Sequence, residues 1–193
     1  MSTSEDTANH EGSRDKERTR RALLDAATVL LSEYGAGVSM AKIAAQAKVS
    51  KGALTHHFPS REALEDAVVQ DSIEQFWDEV HAQVDLAENR PGKLLRGYIR
   101  ALTGDSEVIR KFYSPSHLIQ ILGREQVPHR LMLADAARWR EAMTADGLDE
   151  ANALTLRFAA EGLALSADSP YLTPEELKLA RENLLRLADS LVN

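Results

Sequence analysis

The feature of this sequence that most constrains its fold is the helical spacing of apolar residues along most of the chain. Between Leu23 and Tyr34 these residues recur at three- and four-residue steps, which places them on one face of a helix. No segment shows the alternating pattern typical of a β-strand, and only six prolines and ten glycines interrupt the chain. The sequence therefore predicts an all-α protein. Helices are expected at residues 16–34, 39–47, 51–57, 60 to just before 91, 93–102, 106–112, 115–145 with a break near 123 or 128, 149–167 and 174–191.

Several classes of function are disfavoured by what the sequence lacks. Cysteine is absent, which excludes disulfides, thiolate metal sites and cysteine nucleophiles. No apolar run reaches the roughly 20 residues of a membrane helix, and the charged first twenty residues do not resemble a secretion signal. No phosphate-binding loop, zinc-protease, serine-hydrolase or kinase motif is present. We therefore expect a cytoplasmic protein that is not an enzyme and needs no metal or cofactor.

Charge and composition divide the chain into three segments. Residues 1–15 are polar, with almost nothing apolar, and are expected to form a disordered tail. Residues 14–61 hold nine Lys or Arg against four Asp or Glu, whereas residues 62–193 hold fourteen against twenty-three. A basic segment ahead of an acidic body is typical of a protein that binds a polyanion at one end, although an unevenly charged surface without a ligand gives the same count. We predict domains at residues 16–60 and 61–193.

Two short helices joined by a tight turn are predicted in residues 39–57. Ser39 can cap the first and Ser50 the second, which ends before Pro59. Gly52 and Ala53 keep the second helix slim at its start, so that it can enter a DNA major groove. This pair predicts a helix-turn-helix. The residues expected to bind DNA are Lys51, Ala53 and His56 at base edges, Ser39, Thr55, His57 and Arg61 at phosphates, and Ser50 and Gly52 at the helix start.

The segment VSMAKIAAQAKVSKGALTHHFPSREAL, residues 38–64, resembles the helix-turn-helix of the TetR (tetracycline-repressor) family. Three positions depart from the family pattern. Lys48 replaces the usual glycine of the turn, Thr55 replaces a tyrosine that typically touches a phosphate, and Arg61 replaces a phosphate-binding lysine. The matching residues are Ser39, Ile43, Ala44, Ala47, Val49, Ser50, Gly52, Leu54, His57, Phe58, Ser60, Arg61 and Leu64.

The resemblance implies a three-helix DNA-binding lobe followed by a larger helical lobe for ligand binding and dimerisation. On this basis we expect a homodimeric repressor that a small molecule releases from a pseudo-palindromic operator in double-stranded DNA. Two alternatives from other classes stay open. One is an all-helical small-molecule-binding protein or enzyme in which the helix-turn-helix is only structural, and the other is a helical protein-interaction module, which would show a large exposed apolar patch.

Two sets of residues in the larger lobe are candidates for dimerisation and for ligand binding. Apolar residues of the last two helices can pack against their copies as a four-helix bundle, although such a stripe alone also suits an internal core. These residues are Leu154, Phe158, Leu165, Leu177, Leu184, Leu187 and Leu191. A group of aromatic residues and one histidine can line an apolar pocket, although packing is the usual role of any one of them. They are Trp77, Tyr98, Phe112, Tyr113, His117 and Trp139.

Overall fold

The computed structural model describes residues 4–114 and 127–192. In these two ranges the chain forms nine α-helices and no β-strand, which confirms the predicted fold class. The helices are α1 (Ser4–Tyr34), α2 (Met40–Gln46), α3 (Lys51–His57), α4 (Arg61–Ala82), α5 (Lys93–Leu102), α6 (Glu107–Phe112), α7 (Val127–Ala145), α8 (Glu150–Ser166) and α9 (Pro174–Ser190). None of these helices is both long enough and apolar enough to cross a membrane.

The chain divides into an N-terminal unit, Met1–Asp71, and a C-terminal unit, Ser72–Asn193. The division falls inside α4, whereas the sequence placed the domain boundary at residue 60, where that helix starts. The reason is packing: Leu64 and Val68 of α4 are both 1% exposed and belong to the core of the N-terminal unit. The apolar face at the start of α4 therefore belongs with α1 to α3.

The core of the N-terminal unit is formed by the apolar faces of α1, α2, α3 and the start of α4, as the helical spacing predicts. Both short helices begin at the expected caps, because the Ser39 hydroxyl accepts a hydrogen bond from the Lys42 amide and the Ser50 hydroxyl one from the Ala53 amide. The buried residues of this core are Leu23, Leu24, Ala26, Ala27, Leu30, Leu31, Val38, Ile43, Ala44, Leu54, Phe58, Leu64 and Val68.

The turn between α2 and α3 places a residue with a side chain in left-handed backbone. Lys48 has a φ of 56°, a conformation that costs most residues other than glycine about 1–2 kcal/mol. The amides of Lys48 and Val49 donate to the carbonyls of Ala45 and Ala44, which closes the turn. The lysine thus adopts the geometry for which the family pattern uses glycine.

Two helix ends differ from the sequence prediction. α1 begins at Ser4, so residues 4–15, expected to be a disordered tail, are helical; once a helix has nucleated, each further residue adds a hydrogen bond. α4 ends at Ala82 instead of continuing towards Pro91. After it, the Asp85 carboxylate accepts a hydrogen bond from the Ala87 amide at 2.9 Å, and such a side-chain bond favours a turn over a helix.

The core of the C-terminal unit surrounds α5, whose Leu95, Tyr98 and Ile99 are at most 1% exposed. The start of α5 is held by the Asp146 carboxylate, which accepts hydrogen bonds from the amides of Leu94 and Leu95, both at 2.9 Å. α8 and α9 pack against α5 and begin at the predicted caps: Asp149 accepts from an amide of the first turn, and Thr173 and Glu176 form a capping box. The predicted break near residue 123 lies outside the described residues.

Candidate nucleic-acid interface and effector region

The second helix of the helix-turn-helix, α3, presents one exposed face. Lys51, Gly52, Thr55 and His56 are exposed, and Ala53 is partly buried. On the opposite side the helix is fixed by Leu54, which is 1% exposed, and its C-cap Phe58 is 3% exposed. This arrangement brings the predicted base-reading residues Lys51, Ala53 and His56 onto a short helix that is rigidly anchored from behind.

The hydroxyl groups at this surface are already used in local hydrogen bonds. Ser39 and Ser50 accept from backbone amides as N-caps, which leaves each hydroxyl proton free to be donated to a phosphate. The Thr55 hydroxyl instead donates to the Lys51 carbonyl at 2.9 Å. Thr55 therefore has to give up this bond before it can donate to a phosphate, in contrast to the two serines.

Arg61, which the sequence predicts to bind a DNA phosphate, is held by groups of the N-terminal unit. Its Nε donates to the Glu65 carboxylate at 2.7 Å and its NH1 group to the Val38 carbonyl. Glu65 is 8% exposed, and a carboxylate at such a depth requires a cationic or hydrogen-bonded partner. Arg61 supplies one such partner from one helical turn before it, at the i,i+4 spacing of helical ion pairs.

Two basic residues that were not singled out in the sequence lie beside α3. Lys16 and Arg20 of α1 are exposed, and the guanidinium carbon of Arg20 lies 5.6 Å from the centroid of the Phe58 ring. Burial, followed by the nearby charges of His56, Arg20 and Lys16, lowers the pKa of His57. Two features of the sequence point to these residues. Residues 14–61 are rich in Lys and Arg, and Lys16 and Arg20 are four residues apart, so they lie on the same face of a helix.

The residues assigned to dimerisation fall into two groups. Leu154, Phe158 and Leu165 of α8 are 41%, 59% and 53% exposed, and Leu187 of α9 is 36% exposed. Leu184 is only 7% exposed and belongs to the core of the C-terminal unit, so its assignment to an exposed seam is corrected.

Three further leucines of α9 and its C-cap differ in how far they are exposed. Leu177 and Leu191 are partly buried, and Leu191 packs against the core of the C-terminal unit. Leu179, which was not proposed, is 68% exposed. It lies two helical turns before Leu187 and so on the same face of α9.

The aromatic residues proposed for a ligand pocket form one cluster in the C-terminal unit. The Trp139 ring centroid lies 4.4 Å from that of Trp77 and 5.2 Å from that of Tyr98. Phe76, which was not singled out, lies at the centre, with its ring centroid 4.5 Å from that of Phe112 and 6.1 Å from that of Tyr113. His117 lies outside the described residues.

Charged groups adjoin this aromatic cluster on one side. The Tyr98 hydroxyl donates to the Glu161 carboxylate at 2.7 Å, and Arg157 Nε donates to the same oxygen at 2.9 Å. Burial raises the pKa of Tyr98. Burial also raises the pKa of Asp135, against the opposing charges of Arg138 and Arg157. Oδ1 of Asp135 is buried and has no hydrogen-bond partner among the residues that the structure describes.

A cleft of about 200 Å³ runs between α7 and α8, lined by Arg140, Met143, Thr144, Leu148, Glu150, Ala153, Leu154 and Arg157. Arg157 is thus shared between this cleft and the charged side of the aromatic cluster. The pocket predicted from the aromatic residues is not this cleft, since none of those residues lines it. The aromatic residues contact one another and so contribute to the core of the C-terminal unit.

The chain matches two protein-family models. Residues 23–68 match the model described as bacterial regulatory proteins, tetR family, and residues 92–189 match the tetracyclin repressor-like, C-terminal domain. The second match alone spans more than half of the 193 residues. Among curated proteins, the HTH-type transcriptional regulator BetI of Paraburkholderia phymatum is 26% identical over 194 residues, which cover 91% of this chain and 96% of that protein.

Solved structures of regulators have the same fold. A member of the TetR family from Streptomyces coelicolor A3 is 27% identical, with a TM-score of 0.63, and the match covers 88% of this chain and 97% of that one. The multidrug binding protein EbrR, complexed with malachite green, is 29% identical with a TM-score of 0.62, and the match covers 87% of this chain and 96% of that one.

Proposed function

Because this chain belongs to the tetR family of bacterial regulatory proteins, it is a ligand-responsive, DNA-binding transcriptional regulator, and we propose that it is a homodimeric repressor. In this proposal the N-terminal unit binds one half of a pseudo-palindromic operator, and a small molecule bound by the C-terminal unit releases the protein from DNA. The observation that carries the proposal is the exposed face of α3, with Lys51 and His56 outward and Leu54 buried behind them.

The chemistry of α3 supports this role. The amides at the start of a helix and a nearby lysine both favour a polyanion, and the small residues Gly52 and Ala53 let the backbone approach the groove. Lys51 and His56 carry donors that can bond to base edges. A half-site read in this way requires a second copy at a fixed spacing to give useful specificity.

The experiment that tests this proposal is the selection of bound duplexes from a random pool, carried out with the full chain at low salt. We expect an inverted repeat to be enriched, since two copies related by a two-fold axis present two α3 helices. If no duplex is enriched, the alternative of a small-molecule-binding protein with a purely structural helix-turn-helix replaces it.

For dimerisation, we propose the exposed apolar face that α8 and α9 share. Leu154, Phe158, Leu165, Leu179 and Leu187 are large apolar side chains on the surface of one subunit. An apolar face of this kind is costly in water and is typical of a subunit interface. A second copy of the same face would bury it as a four-helix bundle.

For the effector, we propose that it binds in the C-terminal unit on the charged side of the aromatic cluster. The buried, unsatisfied Asp135 oxygen supports this location, because a ligand that donates a hydrogen bond or carries a cation would satisfy it. EbrR, with 29% identity, is described as a complex with malachite green, so an aromatic cation is the first probe to test. Titration with malachite green should quench Trp77 and Trp139 fluorescence, and Asp135→Asn should weaken its affinity.

Regulation requires that effector and operator compete through the protein. An effector that prefers the state with low operator affinity couples to DNA by typically 1–3 kcal/mol, and the coupling is reciprocal. The selected duplex should therefore weaken effector binding by the same factor as the effector weakens duplex binding. If the effector binds with the same affinity in the presence and absence of the duplex, release of DNA by the ligand is contradicted. This holds even if the effector binds beside the aromatic cluster as proposed.

A further inference from the structure

Helix α1 carries two basic side chains that have no ion-pair partner among the described residues of the N-terminal unit. Lys16 and Arg20 stand one turn apart and are exposed, and neither forms an ion pair with any residue that the structure describes. Their neighbours on the same helix behave differently, because Arg18 and Arg21 are each bound to an aspartate. The charges at 16 and 20 thus lie free on one face of α1.

These two residues lie beside the end of α3. The Arg20 guanidinium carbon lies 5.6 Å from the centroid of the Phe58 ring. The ring centroids of Phe58 and His57 are 6.3 Å apart, and those of His57 and His56 are 5.7 Å apart. Arg20, His57 and His56 are therefore neighbours, and Lys16, one turn before Arg20 on α1, also acts electrostatically on His57.

This surface is unfavourable for the free protein. Like charges four residues apart destabilise a helix. His57 meets further positive charge from every side on which charged groups face it, namely His56 on α3 and Lys16 and Arg20 on α1. Together with burial, these charges lower the pKa of His57. A group of uncompensated cations is complementary to a polyanion, and DNA phosphates release counterions when such cations bind them.

We propose that Lys16 and Arg20 of α1, together with His57 of α3, bind DNA phosphates as one surface, which we name the α1 clamp. The clamp extends the nucleic-acid interface beyond the helix-turn-helix onto α1, and it rests on the proposed binding of DNA by this unit. Lysine and guanidinium groups are strong donors to phosphate oxygens. Such contacts add affinity on any sequence and fix how the protein sits on the duplex.

The clamp also predicts that DNA binding takes up a proton. In the free protein the cations around His57 favour its neutral form, whereas a phosphate at the clamp favours the imidazolium. The affinity for DNA should then rise as the pH falls from 7.5 to 6, and His57 should account for part of this rise.

The test is the salt dependence of binding to the duplex selected above, measured for the full chain. Each phosphate contact contributes about 0.9 to the slope of log K against log salt concentration. The double variant Lys16→Gln/Arg20→Gln should therefore flatten the slope by about 2 for each subunit bound, or about 4 for a dimer on the selected inverted repeat. Arg18→Gln is the control, because it removes a positive charge from the same helix but at an ion-paired position, and its slope should equal that of the wild type.

Two further variants keep the test decisive. Arg20→Lys retains the charge and should keep the wild-type slope, which separates the charge from packing against Phe58. His57→Gln should reduce the proton uptake on binding, measured by calorimetry in buffers with different ionisation enthalpies. A double variant whose slope equals that of Arg18→Gln would overturn the clamp. A wild-type protein that binds no duplex would instead refute the proposed function, so the two failures are distinguishable.

Discussion

The two units of this protein differ in how their functional residues are brought together. In the N-terminal unit, the proposed base-reading residues Lys51, Ala53 and His56 lie within one helix of seven residues. In the C-terminal unit, the polar contacts beside the aromatic cluster join residues far apart in the chain: Tyr98 and Glu161 are 63 positions apart. A site made by one capped helix can be recognised from its own segment, whereas one made by five helices depends on how the whole unit packs.

The two sites also differ in how completely the free protein satisfies their groups. Leu54 and Phe58 anchor α3 from behind and leave it one outward face, which suits a surface that must match a groove of fixed shape. The charged side of the aromatic cluster contains a buried carboxylate oxygen of Asp135 that has no hydrogen-bond partner in residues 4–114 and 127–192. An unsatisfied buried group raises the energy of the free state, and a ligand that satisfies it gains binding energy there.

The largest effect that would separate the units is expected for Ala53→Glu. A carboxylate on the groove-facing side of α3 stands against base edges and phosphates, and like charges in an interface cost several kcal/mol. We expect affinity for the selected duplex to fall by on the order of 100-fold or more, with effector affinity unchanged in the absence of DNA. Fluorescence anisotropy with a labelled duplex measures the first, and Trp quenching the second.

The control for Ala53→Glu is Ala87→Glu, which adds the same charge at an exposed position of the C-terminal unit. This variant should bind the duplex almost as the wild type does. If Ala53→Glu retains wild-type affinity, α3 does not enter the groove. The DNA site would then not be formed by this one helix.

The sequence predicts what short-range chemistry decides. The caps at Ser39, Ser50, Asp149 and Thr173 each use a hydroxyl or carboxylate three residues before the amide that it satisfies, and all four are confirmed. The family resemblance marks the turn in another way, because Lys48, whose φ is 56°, stands where the family pattern has glycine.

What the sequence missed depends on partners distant in the chain. Arg61 was assigned to DNA from its position and charge, but its guanidinium donates to the carbonyl of Val38, which lies 23 positions earlier in the chain. The leucine pattern of α9 placed Leu184 with its exposed neighbours, although α5 and α8 enclose it. The sequence also did not reveal that the chain after α4 packs closely on α5, where a Cβ at Gly97 would lie 2.7 Å from Cγ2 of Val84.

A second effect distinguishes the core from the exposed face within the C-terminal unit. Leu184→Ala removes a buried side chain and should lower the free energy of unfolding by about 2–5 kcal/mol, without separating the subunits of the folded protein. Phe158→Glu places a charge on the proposed interface and should yield folded monomers, since an unpaired buried charge is costly. Thermal melts and sedimentation velocity measure the two outcomes. Dimers that persist in Phe158→Glu would place the interface elsewhere.

A third and smaller effect tests the role of Arg61. Replacing Arg61 by Ala removes its ion pair with the buried Glu65 and its hydrogen bond to the Val38 carbonyl, so we expect a loss of about 1–3 kcal/mol in stability. The slope of DNA affinity against salt should stay the same, because the guanidinium is not at a phosphate. Arg18→Ala is the control for removing a basic residue from the surface. A stable Arg61→Ala protein with a flatter salt slope would return this residue to the DNA interface.

The smallest effect is expected at Lys48, a residue with a side chain that adopts left-handed backbone. Left-handed backbone costs a residue with a side chain about 1–2 kcal/mol, and glycine avoids this cost but loses roughly 0.5–1 kcal/mol of extra backbone entropy on folding. Lys48→Gly should therefore stabilise the protein by about 0.5–1 kcal/mol, or roughly 1–4 °C in melting temperature. Lys48→Ala is the matched control, because it removes the same charge but keeps the strain at φ 56°, and it should give no such gain. A Lys48→Gly protein that is less stable than Lys48→Ala would mean that the turn is not strained and that the lysine contributes a contact of its own.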